Sequence, residues 1–114
     1  MDENQFLVMV DAATERSQLV EDLSTSFPDM ERRKANSGHI RGNWLEVWAN
    51  DDADENQAAD PVDGFLYFRW RVELTPLDAT TAEDHQVQLA RELLKHFQSV
   101  GARAVVCANF EDRL

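Results

Sequence analysis

The sequence predicts an α+β domain with elements in the order β-α-β-β-α-β, four strands in one antiparallel sheet with two helices on one face. Three observations predict it. Apolar runs of strand length stand near both ends, Phe6 to Val10 and Ala104 to Ala108. Two alternating stretches, Asn43 to Asn50 and Phe65 to Leu74, follow one another in the middle. Two further segments carry apolar residues at helical spacing and separate the outer runs from the inner pair. One sheet with both helices on one side is the economical way to bury these patterns together.

Phe6-Leu7-Val8-Met9-Val10 is continuous, as suits a strand buried on both faces in mid-sheet. Thr14 can cap a helix starting at Glu15, whose charge is favourable at that end. Leu19, Val20, Leu23 and Phe27 then share one helical face, and Pro28 stops the pattern. Asp29 to Gly42 has no clear period and reads as a loop or ragged strand edge, with a turn at Asn36-Ser37-Gly38. It holds Arg32, Arg33, Lys34 and Arg41, the one concentration of bases.

In the first alternating strand Leu45, Val47 and Ala49 oppose Trp44, Glu46 and Trp48. In the second, Leu66, Phe68, Trp70, Val72 and Leu74 oppose Phe65, Tyr67, Arg69, Arg71 and Glu73. Asp51 to Asp63, without a base, is expected to be a long exposed hairpin loop. Thr80-Thr81-Ala82-Glu83 has capping-box form. Val87, Ala90, Leu93, Leu94, Phe97 and Val100 follow at helical spacing, and Gly101 is placed to end the helix. The expected core includes Leu7, Leu23, Val47, Phe68, Trp70, Leu93, Phe97 and Val106. This order is that of the ferredoxin-like sandwich.

At 114 residues and 43% hydrophobic, the chain (1–114) is expected to be a single domain with one core. Its formal charge of −11 argues against nucleic acid and against anionic membranes, which carry fixed negative charge, and favours a basic partner. The acidic start, Met1 to Gln5, and the short apolar run after it are unlike a signal peptide, and no run has the length of a membrane span. A cytoplasmic location is the expectation. Cys107 is alone and sits in an apolar run, so it reads as a small core residue and not as a nucleophile.

The exposed sheet face is the first candidate site. Trp44, Trp48, Phe65 and Tyr67 are expected there, among Glu46, Arg69, Arg71 and Glu73. Aromatic and charge pairs across strands can be structural, but a patch of four large aromatics suits a protein contact, with a partner or in a homodimer. Gly64-Phe65-Leu66-Tyr67-Phe68-Arg69-Trp70 resembles the aromatic strand motif of RNA-recognition-motif domains. That resemblance implies base stacking at Phe65 and Tyr67. Asp63 stands where that family has a base, Leu66 replaces a small residue, and the charge balance opposes phosphate. No nucleic acid is expected.

The acidic segment is the second candidate, with Asp51, Asp52, Asp54, Glu55, Asp60 and Asp63. Asp52, Asp54, Asn56, Asp60 and Asp63 fall at positions 1, 3, 5, 9 and 12 of a calcium loop, but Gln57 replaces its glycine, Asp63 its glutamate, and strands flank it. No metal site and no cofactor are expected. His39, His85 and His96 are scattered. His85 and His96, eleven residues apart, would stand roughly 16 Å apart on a helix, too far to share an ion, and both read as exposed. No paired acid and base or glycine-rich phosphate loop is present, so the chain is not expected to be an enzyme.

Small size, acidity, an aromatic face and the absence of catalytic pattern together resemble the immunity proteins of bacterial polymorphic-toxin systems. The resemblance implies a non-catalytic toxin inhibitor that binds a basic toxin domain. Carboxylates would occupy the place of substrate phosphates, and aromatics would anchor the contact. The residues it points to are Asp51, Asp52, Asp54 and Glu55 with Trp44, Trp48 and Tyr67. The alternative is a ferredoxin-like small-molecule sensor or regulatory dimer, which would need a concave apolar pocket.

Overall fold

The computed structural model describes residues 4–114, so the acidic stretch Met1 to Glu3 lies outside the described residues. The elements are β1 (Phe6–Asp11), α1 (Arg16–Ser26), β2 (Glu31–Lys34), β3 (Ser37–Ile40), β4 (Asn43–Ala49), α2 (Glu55–Ala58), β5 (Trp70–Pro76), α3 (Glu83–Ser99) and β6 (Arg103–Cys107). Short 3-10 turns occupy Gly64–Tyr67 and Glu111–Arg113. The strands form one open antiparallel sheet in the order β2-β3-β4-β5-β1-β6. The fold is therefore α+β.

Side chains alternate along each strand, so one set reaches the main core. Phe6, Val8 and Val10 of β1, Leu45 and Val47 of β4, and Trp70, Val72 and Leu74 of β5 belong to it. They meet Leu19, Val20 and Leu23 of α1 and Val87, Ala90, Leu93 and Phe97 of α3. Each fully buried aliphatic of this kind contributes about 1.5–3 kcal/mol relative to exposure. Phe110 closes the end of the core, edge-on to Phe6 with centroids 5.5 Å apart.

Among the described residues the sheet has six strands, not the four expected. Asp29 to Gly42, expected as a loop or ragged strand edge, contains the β2–β3 hairpin, which extends the sheet beyond β4 and ends it in an edge strand of shifted register. The hairpin leaves little apolar pattern because β2 is an edge strand whose four residues are all charged and exposed. Between β3 and β4 the chain reverses through Arg41 and Gly42, both at positive φ (45° and 75°), as a two-residue hairpin turn demands.

The strand expected over Phe65 to Leu74 begins only at Trp70. Phe65 and Tyr67 lie in the preceding 3-10 turn, so the alternation there is not a strand's. In consequence Phe68 and Trp70, expected side by side, are buried in different places: Trp70 in the main core, Phe68 in a second cluster with Met9 and Ala58. Leu7 is only half-buried.

Helix starts also differ. Glu15, not Thr14, is the N-cap of α1, and Ala82 that of α3. The Thr80 box does not form, because Asp78 accepts from both the Thr80 N–H (2.8 Å) and its hydroxyl (2.7 Å).

Candidate functional site

The acidic segment does not project as a loop; it is folded back and fastened to the sheet. Asn50 does much of the fastening, its side-chain amide donating to the carbonyls of Leu66 (2.9 Å) and Phe68 (2.7 Å). Its own N–H donates to the Arg69 carbonyl at 2.9 Å, and the Asp54 N–H to the Tyr67 carbonyl at 3.1 Å. These bonds stitch residues 50–54 along 66–69. Ala58 of α2 then packs with Phe68 and Met9, with Phe65, Tyr67, Val105 and Cys107 at the margin. Gly64 is required here, since a Cβ would stand 2.4 Å from the Ala58 carbonyl oxygen.

The carboxylates divide into two groups. Asp54 caps α2, accepting from the N–H groups of Asn56 (2.9 Å) and Gln57 (3.2 Å). The Gln57 N–H and side-chain amide, with the Asn56 N–H, hold its carboxyl below the usual range. Asp60 likewise accepts from Asp63 and Val62 N–H groups and is held low by them. Asp51, Asp52, Glu55 and Asp63 are exposed, and their side chains have no hydrogen bond or ion pair with a described residue. Of the four acids expected at the site, Asp54 therefore has structural work, and Asp51, Asp52 and Glu55 do not share it. With Asp54 and Asp60 turned toward backbone N–H groups, the calcium-like spacing does not assemble. Among the described residues no group of three or more His, Cys, Asp or Glu could hold a metal ion.

A cleft of about 500 Å³ opens beside the segment. Asp54, Glu55 and Tyr67 line it from the segment, together with Asp11, Ala12, Ala13, Arg69 and Arg103. Both guanidinium groups are already engaged. Arg103 pairs with Asp11, donates to the Ala58 carbonyl at 2.9 Å and lies over the Phe68 ring at 4.8 Å. Arg69 donates to the Ala13 carbonyl at 2.9 Å and lies over the Trp70 ring at 4.8 Å. Among the described residues that line the cleft, Glu55 is the charge without a partner.

Of the aromatics, Tyr67 is half-buried beside the acids and Trp48 is 43% exposed, two residues before Asn50 and opposite Arg71. Trp44 stands four residues further back along β4, toward β3. Its indole N–H donates to Glu46 at 3.0 Å, and its ring meets His39 edge-on at 5.1 Å. The fold therefore brings Asp51, Asp52, Asp54, Glu55, Tyr67 and Trp48 into one region and leaves Trp44 apart. Asp11 and Arg103 belong to the cleft without having been picked out as site residues, and Arg69, expected on the open sheet face, lines it too; only proximity in the fold joins them.

The histidines separate as well. His85 is exposed, its Nε2 2.7 Å from the Arg41 carbonyl oxygen. His96 corrects an expectation: it is buried between α1 and α3, Nδ1 2.8 Å from the Ser26 hydroxyl. Burial pushes the half-buried Cys107 thiol above its ordinary value, away from the reactive thiolate. Among the described residues no helix is long and apolar enough to cross a membrane. The chain matches no family model, no curated protein and no solved structure.

Proposed function

We propose that this domain is a non-catalytic acidic binding protein that docks a basic protein, as an immunity protein docks and blocks a toxin domain. The carrying observation is that Asp51, Asp52 and Glu55, unpaired and exposed, are presented on a segment fastened to the sheet beside Trp48 and Tyr67. Fixed carboxylates speed and orient association, and aromatics beside them supply the desolvated anchor. The cleft adds a place for one basic side chain of the partner, between Glu55 and the Tyr67 ring, because its own guanidinium groups are occupied. Its charged lining favours this over an apolar small molecule. The reading includes a fold relationship: strands β6-β1-β5-β4 with α1 and α3 follow the ferredoxin-like order, to which the β2–β3 hairpin and the 51–69 segment are additions.

The test is co-expression with the product of the gene directly upstream, where an immunity gene's toxin is encoded. The expected result is that the toxin arrests growth, that this protein restores it, and that Asp51→Asn/Asp52→Asn/Glu55→Gln does not. An upstream product that is harmless, or one neutralised equally well by the triple variant, removes the basis of the proposal.

A further inference from the structure

The two edges of the sheet are built differently. At one edge β2 is Glu31-Arg32-Arg33-Lys34, charged and exposed throughout, and its register with β3 shifts between Arg32 and Lys34. Charge and irregularity are the usual means of keeping an edge strand from pairing with another chain. At the other edge, β6 has one charge, Arg103, followed by the uncharged Ala104, Val105, Val106 and Cys107, and no register shift. It pairs with β1 in unbroken register, Leu7 with Cys107 through to Asp11 with Arg103, and among the described residues no strand covers its outer side. A cleft of about 530 Å³ runs beside it, lined among others by Phe65, Leu94, Val105 and Leu114. Leu114 is 40% exposed.

We propose that β6 is a self-association edge, through which two copies of this chain pair antiparallel about a two-fold axis at Val105 and join their sheets into one.

The register makes the second copy the fitting occupant. Centred on Val105, it sets Val105 against its own mate and the small Ala104 against the larger Val106 of the second copy. It also sets Arg103 against the second copy's Cys107. Glu111 lies beside that position: its carboxylate acts on the Cys107 thiol and stands 3.5 Å from the Ala108 N–H. Arg103, held by Asp11, the Ala58 carbonyl and the Phe68 ring but still half-exposed, gains a second carboxylate at its exposed edge in this register, and the two-fold repeats the pair. A net charge of −11 on each chain opposes association. β6 itself carries no carboxylate, however, and charges beyond about 8 Å are largely screened at physiological salt.

The test is sedimentation of the intact protein from micromolar to millimolar concentration, with hydrogen exchange of the β6 amides in the same samples. The expected result is a monomer–dimer equilibrium in which the β6 amides directed away from β1 become protected as the dimer fills. Val105→Lys should abolish both the dimer and the protection. Because Val105 also packs at the margin of the Met9–Ala58–Phe68 cluster, Glu111→Arg on the exposed 3-10 turn serves as a second variant, expected to weaken the dimer about tenfold, ~1.4 kcal/mol. A chain that stays monomeric at millimolar concentration, or a dimer with unprotected β6 amides, overturns the proposal. So does β6 protection that appears only when a different protein is added, which would assign the edge to that protein. None of these outcomes bears on the acidic surface.

Discussion

Asn43 of β4 and Gln86 of α3 face each other as a reciprocal amide pair with no exposure to solvent. Asn43 Nδ2 donates to Gln86 Oε1 at 3.0 Å, and Gln86 Nε2 donates to Asn43 Oδ1 at 2.8 Å. The remaining amide hydrogens go to the carbonyls of Arg41 (3.1 Å) and Asn4 (2.8 Å), so every donor is used. This polar bridge, its donors all satisfied, sets the helix against the sheet beside the apolar core.

Gln86→Leu should therefore cost about 1–3 kcal/mol, because it strands the Asn43 amide in the core. Asn43→Leu should cost about as much, and the double variant clearly less than the sum, since neither polar group then remains unpaired. Urea denaturation of the four proteins measures this. Additive losses would show that the two amides act independently.

Stability should carry a histidine component. Burial holds His96 below its ordinary value, with the Asp22 carboxylate acting weakly in the opposite direction. The unfolded chain takes up a proton near pH 6.5 that the folded chain refuses. This contribution is therefore complete above about pH 6.5 and is lost as the pH falls toward and through the folded-state value. Thermal melts at about pH 7.5 and pH 5.5 should show a larger loss for the native protein than for His96→Gln, which cannot take up that proton. Equal losses would assign the acid sensitivity elsewhere.

Gly64→Ala should loosen the acidic segment without altering an acid. The added methyl meets the Ala58 carbonyl oxygen and drives α2 from the 3-10 turn. Such overpacking costs about 1–3 kcal/mol. Limited proteolysis should then cut within residues 51–66 faster than in the native protein. Resistance unchanged from the native protein would mean the segment accommodates the methyl in place.

The docking surface should separate rate from residence. Asp51→Asn/Asp52→Asn/Glu55→Gln should leave the melting temperature nearly unchanged, because these side chains have no partner among the described residues. It should slow association with the cognate basic protein, more at low salt than at high. Trp48→Ala should instead speed dissociation about thirtyfold, the kinetic equivalent of an anchor worth ~2 kcal/mol. Surface plasmon resonance resolves the two constants. Asp54→Ala belongs with neither: it removes the α2 cap and should lower stability by about 0.5–2 kcal/mol.

Periodicity and charge by themselves determined much of this protein. Strand-length runs located β1, β4, β5 and β6, and helical spacing located α1 and α3, because burial on one face writes a period of two or 3.6 into the chain. The absence of bases between residues 51 and 63 marked the acidic segment without any structure. Tertiary structure alone decided the rest. β2 and β3 carry too little apolar pattern to be read; β3 is a strand because β4 supplies its hydrogen-bond partners. Phe65 and Tyr67 alternate as a strand would, yet the chain leaves the sheet there because Asn50 captures the Leu66 and Phe68 carbonyls. His96 has the polarity of a surface residue, but its place on α3 faces Ser26 and Phe27 of the preceding segment. The cleft joins Glu55 and Tyr67 to Asp11 and Arg103, residues 92 positions apart that meet only across β1 and β6. Local pattern records which face of an element is buried; which distant side chains meet depends on the packing of the whole chain.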